Sequence, residues 1–183
     1  MNKKGQSLLE MVFAIGIMLI VVSAILALAV SNIAGQKASE FQIIANNLGR
    51  EAIEVVRNIR DSNWLSGQDW DFGLTGGNIA VVNYNSKSLV FDSNDFNLYL
   101  DSGVYTHYSD SGVVSGFSRY LELGNICLNL ICPGTDCGKE SIKSSCNSAL
   151  EQKVGIKVTA VVGWLERGRS HEVKIDDLLY DWK

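Results

Sequence analysis

Four thiols fall close together at Cys127, Cys132, Cys137 and Cys146, and they are the densest group of potentially reactive side chains in the chain. Four thiolates suit tetrahedral Zn²⁺. The intervening gaps of four, four and eight residues, however, lack the close C-x2-C knuckles of common zinc ribbons. In an oxidising compartment the same residues read as two disulfides in a loop-rich segment, with three connectivities open. The two histidines, His107 and His171, have no nucleophile motif beside them, so no catalytic residues are assigned and an enzyme is not expected. Asp92, Asn94 and Asp95, and Asp69 with Asp71, invite a calcium reading. Neither set follows the spaced calcium-loop pattern, turn chemistry accounts for both, and no metal or other cofactor is expected.

Glu10 is a different case, because its chemistry depends on its surroundings. The next twenty residues, Met11 to Val30, carry no charge, and no cation follows until Lys37. As a helix this run is about 30 Å long, the thickness of a bilayer's hydrocarbon core. Its only hydroxyl is Ser23, so it has no polar face, and it reads as a membrane helix or one buried on all sides. A carboxylate at the edge of hydrocarbon is costly unless a cation reaches it. Lys3 and Lys4 precede the run, which keeps the N-terminus cytoplasmic and exports the rest.

Two simpler readings exist for these residues. Lys3, Lys4 and the apolar run could form a secretory signal peptide cut near Ala27-Leu28-Ala29, although Glu10 interrupts its start and the run is long for that role. Ser7 and Glu10 could be a capping box at a helix start.

The octapeptide Lys3-Lys4-Gly5-Gln6-Ser7-Leu8-Leu9-Glu10, with the run behind it, resembles the processing site of the type IV prepilins, which include major and minor pilins and the pseudopilins of type II secretion. The resemblance implies cleavage by a prepilin peptidase between Gly5 and Gln6, followed by methylation of the new N-terminus. It also implies that Glu10, fifth in the mature chain, pairs with the N-terminal ammonium of an adjacent subunit during assembly. Gln6 departs from the family, whose first mature residue is most often phenylalanine. The C-terminal stretches Lys157-Val158-Thr159-Ala160-Val161-Val162-Gly163-Trp164 and Gly168-Arg169-Ser170-His171-Glu172-Val173 are similar to the paired last strands of some minor pilins described as pilus modification proteins. The resemblance further implies that the cysteine loop corresponds in position to the disulfide-bounded surface region of pilins.

The remaining sequence must position these features. Phe41, Ile44, Ala45, Leu48, Ala52, Val55, Val56 and Ile59 recur at helical spacing among polar residues, which predicts one helix from Gln6 to about Asp61, some 80 Å long, with Gly16 and Gly35 as places to bend. Loops follow from Ser62 to Gly67 and from Gly73 to Asn78. Short antiparallel strands are then expected at 79–84, 88–91, 98–100, 104–108 and 117–123. A terminal hairpin, 154–165 with 170–175, turns through Glu166-Arg167-Gly168-Arg169. In Phe117–Leu123, Phe117, Arg119, Leu121 and Leu123 share one side. Pro133 sits in the loop before that hairpin and disturbs no strand.

The expected fold is therefore α+β and pilin-like. It has a leader at 1–5, a transmembrane or filament-core helix at 6–35, an amphipathic half at 36–62, and an exported β-rich head at 63–183 with a cysteine-containing loop at 125–153. The formal charge of −4 becomes −6 when Lys3 and Lys4 are lost, and no basic stripe marks a nucleic-acid partner. The expected partners are membrane lipid, the prepilin peptidase and other pilin subunits. The expected location is the inner (cytoplasmic) membrane as a single-pass precursor, then an extracellular filament. A minor pilin fits first and a secretion pseudopilin second. A single-span anchored binding or sensor protein is the alternative of another class.

Overall fold

The structure is a computed structural model that describes residues 3–91, 93–110, 112–130 and 138–181, with side chains from residue 8 onward. The chain divides into two units, residues 1–41 and residues 42–183.

Helix α1 spans Lys3–Ser66. In the first unit the residues from Leu8 to Ile33 are exposed, the large apolar ones each by 47–69%. Length and composition make this segment able to cross a membrane. The Ser23 hydroxyl donates to the carbonyl of Ile20 at 2.8 Å, so the one polar side chain in the run is satisfied by its own helix. The helix continues through Gly16 and Gly35. It includes residues from Lys3 onward, so Ser7 and Glu10 lie inside it and not at its start.

The second unit is the head: the C-terminal part of α1 packed on an antiparallel sheet. The strands are β1 (Ile79–Val81), β2 (Val90–Phe91), β3 (Asn97–Asp101), β4 (Val104–Thr106), β5 (Val113–Asn129), β6 (Glu140–Lys143), β7 (Glu151–Glu166) and β8 (Arg169–Tyr180). β5 is central. Its residues 117–129 pair with β7 along one edge, while β3, β1 and β6 share the other edge in succession. β8 then extends the sheet beyond β7.

The helical stripe read from the sequence meets this sheet. Ala45, Leu48, Ala52, Ile53, Val56 and Ile59 are buried, and the last four of these join Leu121, Ile156, Val158, Ala160 and Leu179 in one core. Each large aliphatic side chain so buried contributes about 1.5–3 kcal/mol relative to exposure. Gly49 brings the helix close: a Cβ there would meet Ile175 Cδ1 at 2.8 Å.

Several boundaries differ from the expectation. Ser62–Ser66 is helical, not loop, because the Ser66 hydroxyl folds back onto the carbonyl of Ser62 and buried Asn63 donates to the carbonyls of Trp70 and Phe72. Gly67, at φ +72°, then ends the helix. β5 is much longer than 117–123, since its two edges are paired almost throughout. The segment 125–153 is not one loop: β5 runs through it to Asn129, β6 returns to pair with β5, and β7 begins at Glu151. Two turns are two-residue links with both residues at positive φ, Ser102-Gly103 and Arg167-Gly168. That geometry suits the twist of a tight antiparallel hairpin.

Candidate functional site

Gly5 and Gln6 lie on the first turns of α1, and Glu10 follows with its side chain exposed. Between the Gly5-Gln6 bond and Glu10 the helix advances a little over one turn, about 7 Å at 1.5 Å per residue. What this arrangement offers chemically is an anionic side chain at the head of an uncharged apolar run. An apolar rod exposed on every side needs lipid or other apolar helices around it.

The cysteines sit at the other end of the chain. Cys127 on β5, fully buried, is bonded to Cys146 just beyond β6, with Cα atoms 5.5 Å apart. The bond forms because β6 pairs with β5 in a register that sets Cys127 opposite Ser141 and carries the chain back past it. Around it, Lys143 pairs with Glu151, and the second carboxylate oxygen of Glu151 accepts from the Asn147 amide at 2.9 Å. These contacts hold the Glu151 carboxyl below its usual range. Cys132 and Cys137, like Pro133, lie outside the described residues. Among the described residues the one grouping with metal-ligand character is Cys127, Cys146 and Glu151. Its sulfurs are joined to each other and are not thiolates, so it does not offer the donor set zinc requires.

Two of the calcium candidates, Asp95 and Asp71, have other partners. Asp95 accepts from the Asn97 amide and side chain and from the Tyr99 hydroxyl, each at 2.9 Å, which keeps its carboxyl below the ordinary range. Asp71 is bound by Lys153 at 2.6 Å. Asn94 and Asp69 stand in the neighbouring loops, and Asp92 lies outside the described residues.

His107 and His171 do not meet. The His107 amide donates to Asn83 Oδ1 at 2.7 Å, and burial together with the Arg119 charge pushes its imidazole down to about 4. His171, on β8, stacks on Trp164 with ring centroids 5.4 Å apart. A groove of about 890 Å³ runs between α1 and the loop Tyr84–Lys87 and is bordered by Asn58, Ser62 and Phe72. Its two carboxylates, Glu51 and Glu54, are engaged by Arg119 and Arg57.

The residue that sequence reasoning missed is Arg119. It alternates in phase with Phe117, Leu121 and Leu123 and is buried, with 1% exposure. Its Nη1 donates to the Leu48 carbonyl and to Glu51 Oε1, both at 3.0 Å, and its Nη2 to the Val82 carbonyl at 2.8 Å. One guanidinium thus ties helix, central strand and β1 region together. The signal was available: a charge in phase with Phe117, Leu121 and Leu123, and a glutamate on the amphipathic helix to meet it.

No family model, curated protein or solved structure matches this chain.

Proposed function

We propose that this chain is a structural subunit, of the minor class, of a type IV pilus or a related filament. The observation that carries the reading is the construction of α1. Its first part is a bare apolar rod headed by Gly5-Gln6 and Glu10, and its last part is built into the core of a disulfide-stapled antiparallel head. An unpartnered rod joined to a folded head needs a membrane first, and afterwards a bundle of like rods.

In this reading the precursor spans the cytoplasmic membrane once, with Lys3 and Lys4 inside. A prepilin peptidase cuts after Gly5. Extraction into the fibre follows, with Glu10 neutralising the Gln6 ammonium of a neighbour. A bare carboxylate among packed apolar helices costs several kcal/mol, so only the register that supplies the ammonium is tolerated. The head, carrying no assigned catalytic role, faces outward.

Intact-mass measurement of the protein from membranes containing a prepilin peptidase tests this, beside a Gly5→Ala variant and under non-reducing conditions. The expected result is loss of residues 1–5, with a methyl group added, and a deficit of four hydrogens. A cut after Ala29 sinks the reading, and an uncut chain makes it a single-span anchored binding or sensor protein. Glu10→Ala should be cut normally and yet fail to enter filaments. If that variant assembles as well as the parent, Glu10 does not set the register. Copurification with a secretion complex instead of a surface fibre would mark a pseudopilin.

A further inference from the structure

Contacts within the head fix which way its sheet runs along α1. Gly49 meets Val162 and Ile175, whereas Arg57 binds Asp177 at 2.8 Å. Following β7 and β8 in the opposite sense, from Val162 to Trp164 and from Ile175 to His171, leads toward the Gln42 end of the helix. The hairpin tip Arg167-Gly168 is therefore at the end of the head from which the chain runs to its apolar segment. The outer ends of β3 and β5 reach the same end, since Phe117 pairs with Trp164, and Val113 and Val114 lie beyond it, paired with Leu100 and Tyr99.

The surface at this end combines two features. Leu165 is 68% exposed, Val113 77% and Val114 62%, so apolar side chains project where no core lies. Arg167 and Arg169 are engaged in no ion pair among the described residues, in contrast to Arg57, Arg60, Arg119, Lys143, Lys153 and Lys157. One carboxylate, Glu166, shares the tip, while Glu172 is near Lys174 at 3.7 Å. Free guanidinia beside projecting aliphatic side chains fit a bilayer surface: the former bind phosphate oxygens and the latter enter the headgroup layer.

We infer that the β7–β8 hairpin tip, through Arg167 and Arg169, docks the head on anionic phospholipid headgroups while the chain is still anchored. The occupant follows from chain connectivity. Only eleven residues, 31–41, separate Val30 from the head, so this end is tethered close to the bilayer from which the apolar segment emerges. The inference rests on the membrane-anchored stage of the reading above. Docking keeps the head on the membrane until extraction pulls it free.

The test uses the full chain in nanodiscs of phosphatidylcholine alone and of phosphatidylcholine with phosphatidylglycerol. Amide hydrogen exchange of residues 165–170 is the readout, and resistance of the chain to carbonate extraction is followed in parallel. Exchange at the tip should be slower in the anionic discs, and the difference should fall by roughly fivefold for each of Arg167→Gln and Arg169→Gln. Lys87→Gln, on a loop elsewhere in the head, should leave it unchanged. A chain that resists extraction but shows equal tip exchange in both lipids, or one insensitive to the arginine changes, overturns the docking and leaves the anchor standing. A chain that carbonate removes overturns both.

Discussion

Arg119 Nη1 lies 3.0 Å from Glu51 Oε1, joining a strand residue with 1% exposure to a helix residue 68 positions earlier whose carboxylate remains partly in water. The same guanidinium serves two backbone carbonyls, so the charge is compensated on three sides.

Removing that guanidinium strands its acceptors. Arg119→Ala should destabilise the head by about 3–5 kcal/mol, while Glu51→Gln, which keeps an acceptor in place, should cost only about 1 kcal/mol. Denaturant unfolding followed by near-ultraviolet circular dichroism checks both, and equal losses would show that the carboxylate charge itself is what matters.

Two glycines make close approaches of opposite rigidity. A Cβ at Gly155 would stand 2.6 Å from the Leu179 carbonyl oxygen, next to the bulge where Val154 is the extra residue between two β5 pairings. Backbone in a sheet cannot withdraw, so Gly155→Ala should cost about 1–3 kcal/mol. A Cβ at Gly49 would press only on the end of the Ile175 side chain. Alanine's better helix propensity, worth up to about 1 kcal/mol, offsets that strain, and Gly49→Ala should unfold near the parent.

The Cys127–Cys146 bond spans 19 residues, and its loss in a Cys127→Ala, Cys146→Ala double variant should cost about 3 kcal/mol. A non-reducing peptide map of the parent should show Cys127 joined to Cys146, and a peptide linking Cys127 to another cysteine would contradict the fold.

His107 makes the head acid-sensitive. Unfolded, its imidazole titrates at the ordinary value of 6.5; folded, at about 4, lowered by burial and then by Arg119. Between those values the unfolded chain holds the extra proton. Stability is thus full above pH 6.5, falls as pH drops toward 4, and levels off below, for a loss on the order of 3 kcal/mol. Melting temperatures measured across this window should flatten in a His107→Gln variant, and an unchanged slope would assign the effect to other groups.

The elements most legible in the sequence were those with a strong period or an uninterrupted composition. The apolar run, the helical stripe from Ala45 to Ile59 and the terminal hairpin each repeat one physical demand over many residues. Hairpin chemistry at Arg167-Gly168 was local and therefore readable, as was the alternation that set Arg119 beside Leu121. β6 was missed because four residues, Glu140 to Lys143, have no apolar alternation of their own and become a strand only through pairing with β5. The helix end was set five residues too early because Ser62, Asn63 and Ser66 resemble turn formers until Asn63 finds two loop carbonyls.

By itself the sequence determined that this chain has an apolar segment of membrane-spanning length, a helix continuing beyond it, and a β-rich remainder, since burial periodicity and the absence of charge are properties of neighbouring residues. Only the tertiary structure decided that Cys127 pairs with Cys146, that β5 is the central strand pairing with β1, β3, β6 and β7, and that Arg119 reaches Glu51 across 68 residues of chain. Those relations join residues far apart in sequence, and which of many possible partners meet depends on the register of the whole sheet, which no local pattern contains.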